Sequence, residues 1–123
     1  MIIEERTYTL FAEARLDEFL SIYETEGLVV QKPILKGFLG YFTSVFGQQN
    51  QVVHWWCYPG LDERQRRRER LHQDPQWLAV LPKLRPMLQD MHVRILSPVS
   101  FSPIASVPVG SDDPDTAFGA VRD

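Results

Sequence analysis

The chain is poor in cysteine and histidine, lacks any long apolar run and has no excess of positive charge. Each shortage closes a class of function. A single cysteine, Cys57, cannot form an internal disulfide, which fits a reducing compartment. It lies in an aromatic stretch with no second thiol or base beside it in sequence, the setting of a small buried hydrophobe rather than a reactive group. The three histidines, His54, His72 and His92, show no paired spacing of the kind that holds a transition metal, so no metal and no cofactor are expected. No apolar run approaches the roughly 20 residues of a spanning helix. The opening residues carry acids where a secretory leader carries bases, so the expected location is cytoplasmic, without a membrane partner. A net charge of -3 argues against a nucleic-acid partner, which selects basic domains. Neither a phosphate-binding loop nor a nucleophile elbow is present.

What is present fits one domain, since 123 residues suffice for a modest core but not two. Residues 2–10 read as a strand, with Glu4, Arg6, Tyr8 and Leu10 on one face and Ile3, Glu5, Thr7 and Thr9 on the other. From Arg15 the period changes: Leu16, Phe19, Leu20 and Tyr23 form a helical stripe. Gly27 and Pro33 predict that this helix ends or bends between them. Residues 37–46 read as a second strand and 51–58 as a third, joined by a turn at 47–50. Asp62 is a candidate N-cap for an arginine-rich helix over 63–72. Asp74-Pro75 restarts a helical stripe through Trp77, Leu78, Leu81, Leu84 and Leu88, with Pro82 expected to kink it and Pro86 to end it. Residues 91–96 form the last strand.

The element order is β-α-β-β-α-β, an α+β ferredoxin-like arrangement with an antiparallel four-stranded sheet. Two helices cover one face of such a sheet and leave the other open, a face that two copies commonly bury. Residues 1–103 make the domain; the composition shifts after Pro98, and 104–123, with little periodicity, read as an extended or disordered tail.

Two constellations could carry chemistry. His54 lies mid-strand with Val52, Trp56 and Tyr58 on its face, and a histidine there could donate or accept a proton. The competing reading is a hydrogen-bonded histidine in a polar core or interface. Glu4, Arg6 and Tyr8 alternate on the first strand and could hold an anionic or carbonyl-bearing ligand, or form a salt-bridge network. The run Arg64, Arg66, Arg67, Arg68 and Arg70, interleaved with Glu63 and Glu69, reads as a solvated, ion-paired helix whose arginines spread around the axis.

Taken in order, several segments resemble one family. They are Glu4-Glu5-Arg6-Thr7-Tyr8, Leu39-Gly40-Tyr41-Phe42, Asn50 through Trp56 with Tyr58, the arginine helix, Asp74-Pro75 with Trp77, Ile95-Leu96 with Pro98, and Phe101-Ser102-Pro103. Together they resemble the NIPSNAP family of the dimeric α/β-barrel superfamily. The resemblance implies a homodimer in which two sheets pack into a barrel, and it brings no assigned catalytic residues. On this reading an inter-sheet cavity for a small organic ligand, or a partner-interaction role, is expected. Glu4, Arg6, Tyr8, Tyr41 and Trp56 would line it, and His54 would act on protons if chemistry occurs. Two alternatives follow from related barrel families: a cofactor-independent monooxygenase acting on an aromatic or polyketide-like substrate, and a haem-binding protein.

Overall fold

A computed structural model of the protein describes residues 1–104. The stretch expected to form a C-terminal tail lies outside the described residues apart from Ile104. The strands are β1 (Ile2–Leu10), β2 (Phe38–Thr43), β3 (Gln51–Tyr58) and β4 (Leu88–Leu96), in one antiparallel sheet of order β2-β3-β1-β4. Between β1 and β2 run α1 (Leu16–Ile22) and α2 (Leu28–Leu35), and between β3 and β4 run α3 (Leu61–Gln73) and α4 (Pro75–Leu84). This is the ferredoxin-like α+β order, and within one chain the sheet is not closed. Among the described residues no helix is long and apolar enough to cross a membrane.

The first helical stretch does not stop at Gly27 or Pro33. A π-helical turn, Tyr23–Gly27, joins α1 to α2, and the Leu28 N–H reaches back five residues to the Tyr23 carbonyl. Pro33 and Pro82 both sit inside helices, where a proline strips the residue four back of its N–H partner. Those residues are Val29 and Leu78, at 59% and 49% exposure, so each loss falls on a wet side and the helix survives. Termination comes instead at Lys36 and Gly37, both with positive φ. A Cβ on Gly37 would lie 2.1 Å from the Cys57 carbonyl oxygen, so a glycine is required where the chain enters β2.

Other boundaries also move. β2 ends at Thr43 rather than 46, and Phe46 beyond it is 93% exposed. α3 begins at Leu61 with Gly60 as its N-cap, so Asp62 sits inside the first turn, where its charge opposes the helix dipole. Asp74 caps α4 as expected: its Oδ1 accepts from the backbone N–H of Gln76 (2.9 Å) and Trp77 (3.1 Å). The chain leaves α4 through a 3-10 turn, Arg85–Met87, that contains Pro86.

The strand period places Val52, His54, Trp56 and Tyr58 on one face of β3, all at 1% exposure or less. This face packs under the helices, against Phe19, Tyr23, Leu35, Leu71 and Trp77 among others. Glu4, Arg6 and Tyr8 share it, opposite Trp56, His54 and Val52 respectively. The other face is bare of helices. There Trp55 Nε1 donates to Glu5 (3.0 Å), and Arg94 donates to the same carboxylate (2.7 Å).

Candidate functional site

A cavity of about 150 Å³ lies between the sheet and the helix layer. β1 contributes Arg6 and Tyr8, β2 Tyr41, and β3 His54; Tyr23, Gln31, Arg68 and Trp77 reach in from the helical side. Phe19, Leu81, Leu84 and Leu88 supply the apolar wall, while exposed His72, Arg85 and Met91 mark the mouth.

Of the residues expected to line a site, Arg6, Tyr8, Tyr41 and His54 converge here, whereas Glu4 and Trp56 do not touch the cavity. The location also differs from expectation. All six lie on the helix-covered face, so the space they surround is sheet-to-helix and not sheet-to-sheet. Alternation along a strand says which side chains travel together. Which of the two faces the crossover helices land on is a separate matter, decided by packing. Phe38 and Tyr41 are three residues apart yet pair with Trp56 and His54, because the register between β2 and β3 shifts between Phe38 and Gly40.

His54 is held from three sides. Tyr41 stacks on its ring at 4.5 Å and Tyr8 meets it edge-on at 4.9 Å. Trp56 Nε1 donates to His54 Nδ1 at 2.8 Å. An indole can only donate, so Nδ1 accepts and the neutral imidazole carries its proton on Nε2. Burial, then the positive charges of Arg6 and Arg68, hold the imidazole well below its ordinary pKa. At neutral pH the ring is therefore uncharged and offers the cavity a hydrogen-bond donor. It is not a free base there, and Trp56 acts by orienting it.

Four buried side-chain polar atoms lack a partner among the described residues: Tyr41 Oη, His54 Nε2, Tyr58 Oη and Trp77 Nε1. Three of these four belong to side chains that line this one cavity. Buried polar groups are normally satisfied, and here three that can donate face one cavity. Burial raises the Tyr41 phenol far above its ordinary range, which keeps it a neutral donor.

Beneath the cavity lies an ion-pair network. Glu4, fully buried, accepts from Arg6 Nη1 at 3.3 Å and from Arg64 Nε. Arg6 Nε also donates to Tyr8 Oη at 2.6 Å. Burial alone would lower the Arg6 guanidinium, but Tyr8 and Glu4 more than offset it and the net shift is upward. Glu63 takes Arg67 and Arg66 at 3.0 Å and Arg70 at 3.6 Å. The arginine helix is thus only partly solvated. Arg64, Arg67 and Arg68 share its inner face with buried Leu71, an i, i+3, i+4, i+7 stripe. That spacing was legible in the sequence, but arginines at core-facing positions do not read as a core stripe. Arg67 is buried, donating to the Leu35 carbonyl at 3.1 Å. Arg68 reaches the cavity wall and has no hydrogen-bond or salt-bridge partner among the described residues. Among those residues no group of His, Cys, Asp and Glu is placed to hold a metal ion.

Known proteins share this architecture. The NIPSNAP family model matches residues 3–103. A NIPSNAP family protein from Agrobacterium tumefaciens superposes with a TM-score of 0.81 at 39% identity, covering 84% of this chain and 97% of that one. The Drosophila melanogaster Protein NipSnap is 35% identical over 68 residues, 55% of this chain and 24% of the relative. This chain therefore aligns with about a quarter of that longer protein. An antibiotic biosynthesis monooxygenase superposes with a TM-score of 0.56 at 17% identity, covering 80% of this chain and 99% of that one, a likeness of fold alone. With the family model spanning β1 through the end of β4 and beyond, the chain belongs to the NIPSNAP family.

Proposed function

We propose that this protein binds a small organic molecule in the cavity between its sheet and its helices, and that it does so as a homodimer. The observation that carries the reading is the gathering of Tyr41 Oη, His54 Nε2 and Trp77 Nε1, all buried and without partners among the described residues, around one space. At about 150 Å³ the space suits a ligand the size of one aromatic ring. A polyketide or a haem macrocycle is several such rings in size and gains no support from this space, whereas a single-ring aromatic substrate of the monooxygenase alternative would fit it. His54, presented as a neutral N–H donor, favours binding over proton abstraction.

The homodimer is supported by the helix-free face of the sheet, where Trp55, Val53 and exposed Phe42 stand beside the Glu5–Arg94 ion pair. Apolar surface of this kind is usually covered. Buried, unpaired Cys57 fits a cytoplasmic setting.

Saturation-transfer NMR with a panel of single-ring compounds tests the site. Binding should appear in the parent protein and vanish in Leu81→Trp, which fills the cavity, with circular dichroism checking that the variant folds. If no member of the panel binds, or if Leu81→Trp leaves binding intact, the reading fails. Light scattering tests the dimer, and a monomer at micromolar concentration would refute it.

A further inference from the structure

The cavity has a charge asymmetry that narrows its ligand further. Its polar lining consists largely of donors: the phenols of Tyr8 and Tyr41, His54 Nε2, Trp77 Nε1 and the guanidinium groups of Arg6 and Arg68. Among the described residues no carboxylate lines it. The nearby carboxylates are already engaged, since both oxygens of Glu4 are taken by Arg6 and Arg64, and Glu63 serves Arg66, Arg67 and Arg70. Arg85 at the mouth is exposed to water, which leaves Arg68 as the partly buried guanidinium of the lining with no hydrogen-bond or salt-bridge partner among the described residues. A partly buried guanidinium without a partner is costly to hold in a fold unless a counter-ion is supplied.

We propose that the ligand is an organic carboxylate on a single-ring-sized apolar body, with Arg68 as its counter-ion. This rests on the reading of the cavity as a ligand site. A guanidinium meets a carboxylate through two parallel hydrogen bonds. His54 Nε2–H and Tyr41 Oη–H are available as further donors to the same head, and the ring lies against Phe19, Leu84 and Leu88. Burial, then the charge of Arg6, lowers the Arg68 guanidinium from its ordinary value, and attraction to Glu4 does not reverse this. A bound carboxylate removes that penalty. His54 is neutral for the same reason, so its ring adds a donor to the cavity and no charge.

Three probes separate head from body: benzoate, benzyl alcohol (the ring without the charge) and acetate (the charge without the ring). Calorimetric titration of the full chain should rank benzoate above the other two by about tenfold or more, the scale of a charge-assisted hydrogen bond. Arg68→Gln should weaken benzoate by about tenfold and leave benzyl alcohol within about twofold. Arg68→Lys, which keeps the charge but not the fork, should fall between. Without ligand, Arg68→Gln should melt at or above the parent temperature, because it removes an unpaired charge.

Benzyl alcohol binding as well as benzoate, or benzoate binding unchanged in Arg68→Gln, would overturn the carboxylate assignment and leave the cavity reading standing. A lower melting temperature for ligand-free Arg68→Gln would also overturn it, since Arg68 would then have its partner within the fold. If neither ring compound binds the parent protein, the cavity reading falls too.

Discussion

Replacing Glu4 with glutamine tests whether the buried carboxylate holds the sheet and the arginine helix together. Glu4 is fully buried and Arg6 is 7% exposed, while the Arg64 side chain is 22% exposed. In Glu4→Gln the amide keeps the shape but removes the charge. Arg64 can swing toward water, as long basic side chains do. Arg6 cannot, and keeps Tyr8 Oη and a neutral amide oxygen but no counter-charge. Breaking a buried pair from one side costs about 3–5 kcal/mol, and the remaining phenol places this case near the lower end, about 3 kcal/mol. For a domain of this size that is a fall in Tm of about 10–15 °C. Urea unfolding followed by circular dichroism reads it directly as a lower midpoint at unchanged slope. Glu63→Gln is the control: its side chain is 27% exposed, and a partly solvated carboxylate should cost about 1 kcal/mol or less. Glu4→Leu combined with Arg6→Met should recover most of the loss, since a buried pair can be exchanged for apolar side chains at little cost. A loss below about 1 kcal/mol in Glu4→Gln, or a double variant as unstable as the single, would refute the reasoning.

Other consequences follow from the same structure. Because the His54 pKa is depressed in the fold, the unfolded chain binds a proton that the folded one refuses. Stability should thus hold above pH 7 and fall by up to about 1.4 kcal/mol per unit as pH drops below the unfolded value of about 6.5. Urea midpoints across pH 7.5 to about 5.5 check this, and a flat profile that His54→Asn does not alter would contradict it. Gly37→Ala should cost at least about 1–3 kcal/mol from its left-handed backbone, and more from the collision with Cys57. Gly47→Ala, also at positive φ but with open space around the Cβ, should lose the backbone part alone; equal melting temperatures for the two variants would dismiss the collision. Asp74→Ala should lower stability by about 1 kcal/mol through loss of the α4 cap, read by thermal denaturation, and an unchanged melting curve would mean that the cap is redundant.

Period and local capping are short-range properties, and they were legible. The alternation of Glu4, Arg6 and Tyr8, the His54–Trp56 face, the Asp74-Pro75 restart and the four-strand order all survive in the fold. Proline and glycine misled where their effect depends on surroundings. Pro33 and Gly27 were read as bounding a stretch where the helix ends or bends, and Pro82 as a kink, but each proline sits where the lost backbone bond falls on an exposed side. Gly27 lies inside a helical run that bulges into a π turn and continues. The inner stripe of α3 went unseen for a related reason: Arg64, Arg67 and Arg68 turn inward because buried Glu4, the Leu35 carbonyl and the cavity, respectively, lie opposite them.

The sequence by itself determined which side chains share a face, because the pleat and the helical turn are geometric constants of the backbone. It also carried the ordered segments by which the family is identified. Only the tertiary structure decided that this face turns toward the helices, and that His54 presents Nε2–H because Trp56 claims Nδ1. The structure likewise decided that Arg68 reaches the cavity wall, partly buried, with no hydrogen-bond or salt-bridge partner among the described residues. The facing of the sheet and the place of Arg68 depend on contacts between residues far apart in the chain, such as Glu4 with Arg64, and the His54 tautomer on side-chain orientations within one strand; local periodicity carries no record of either.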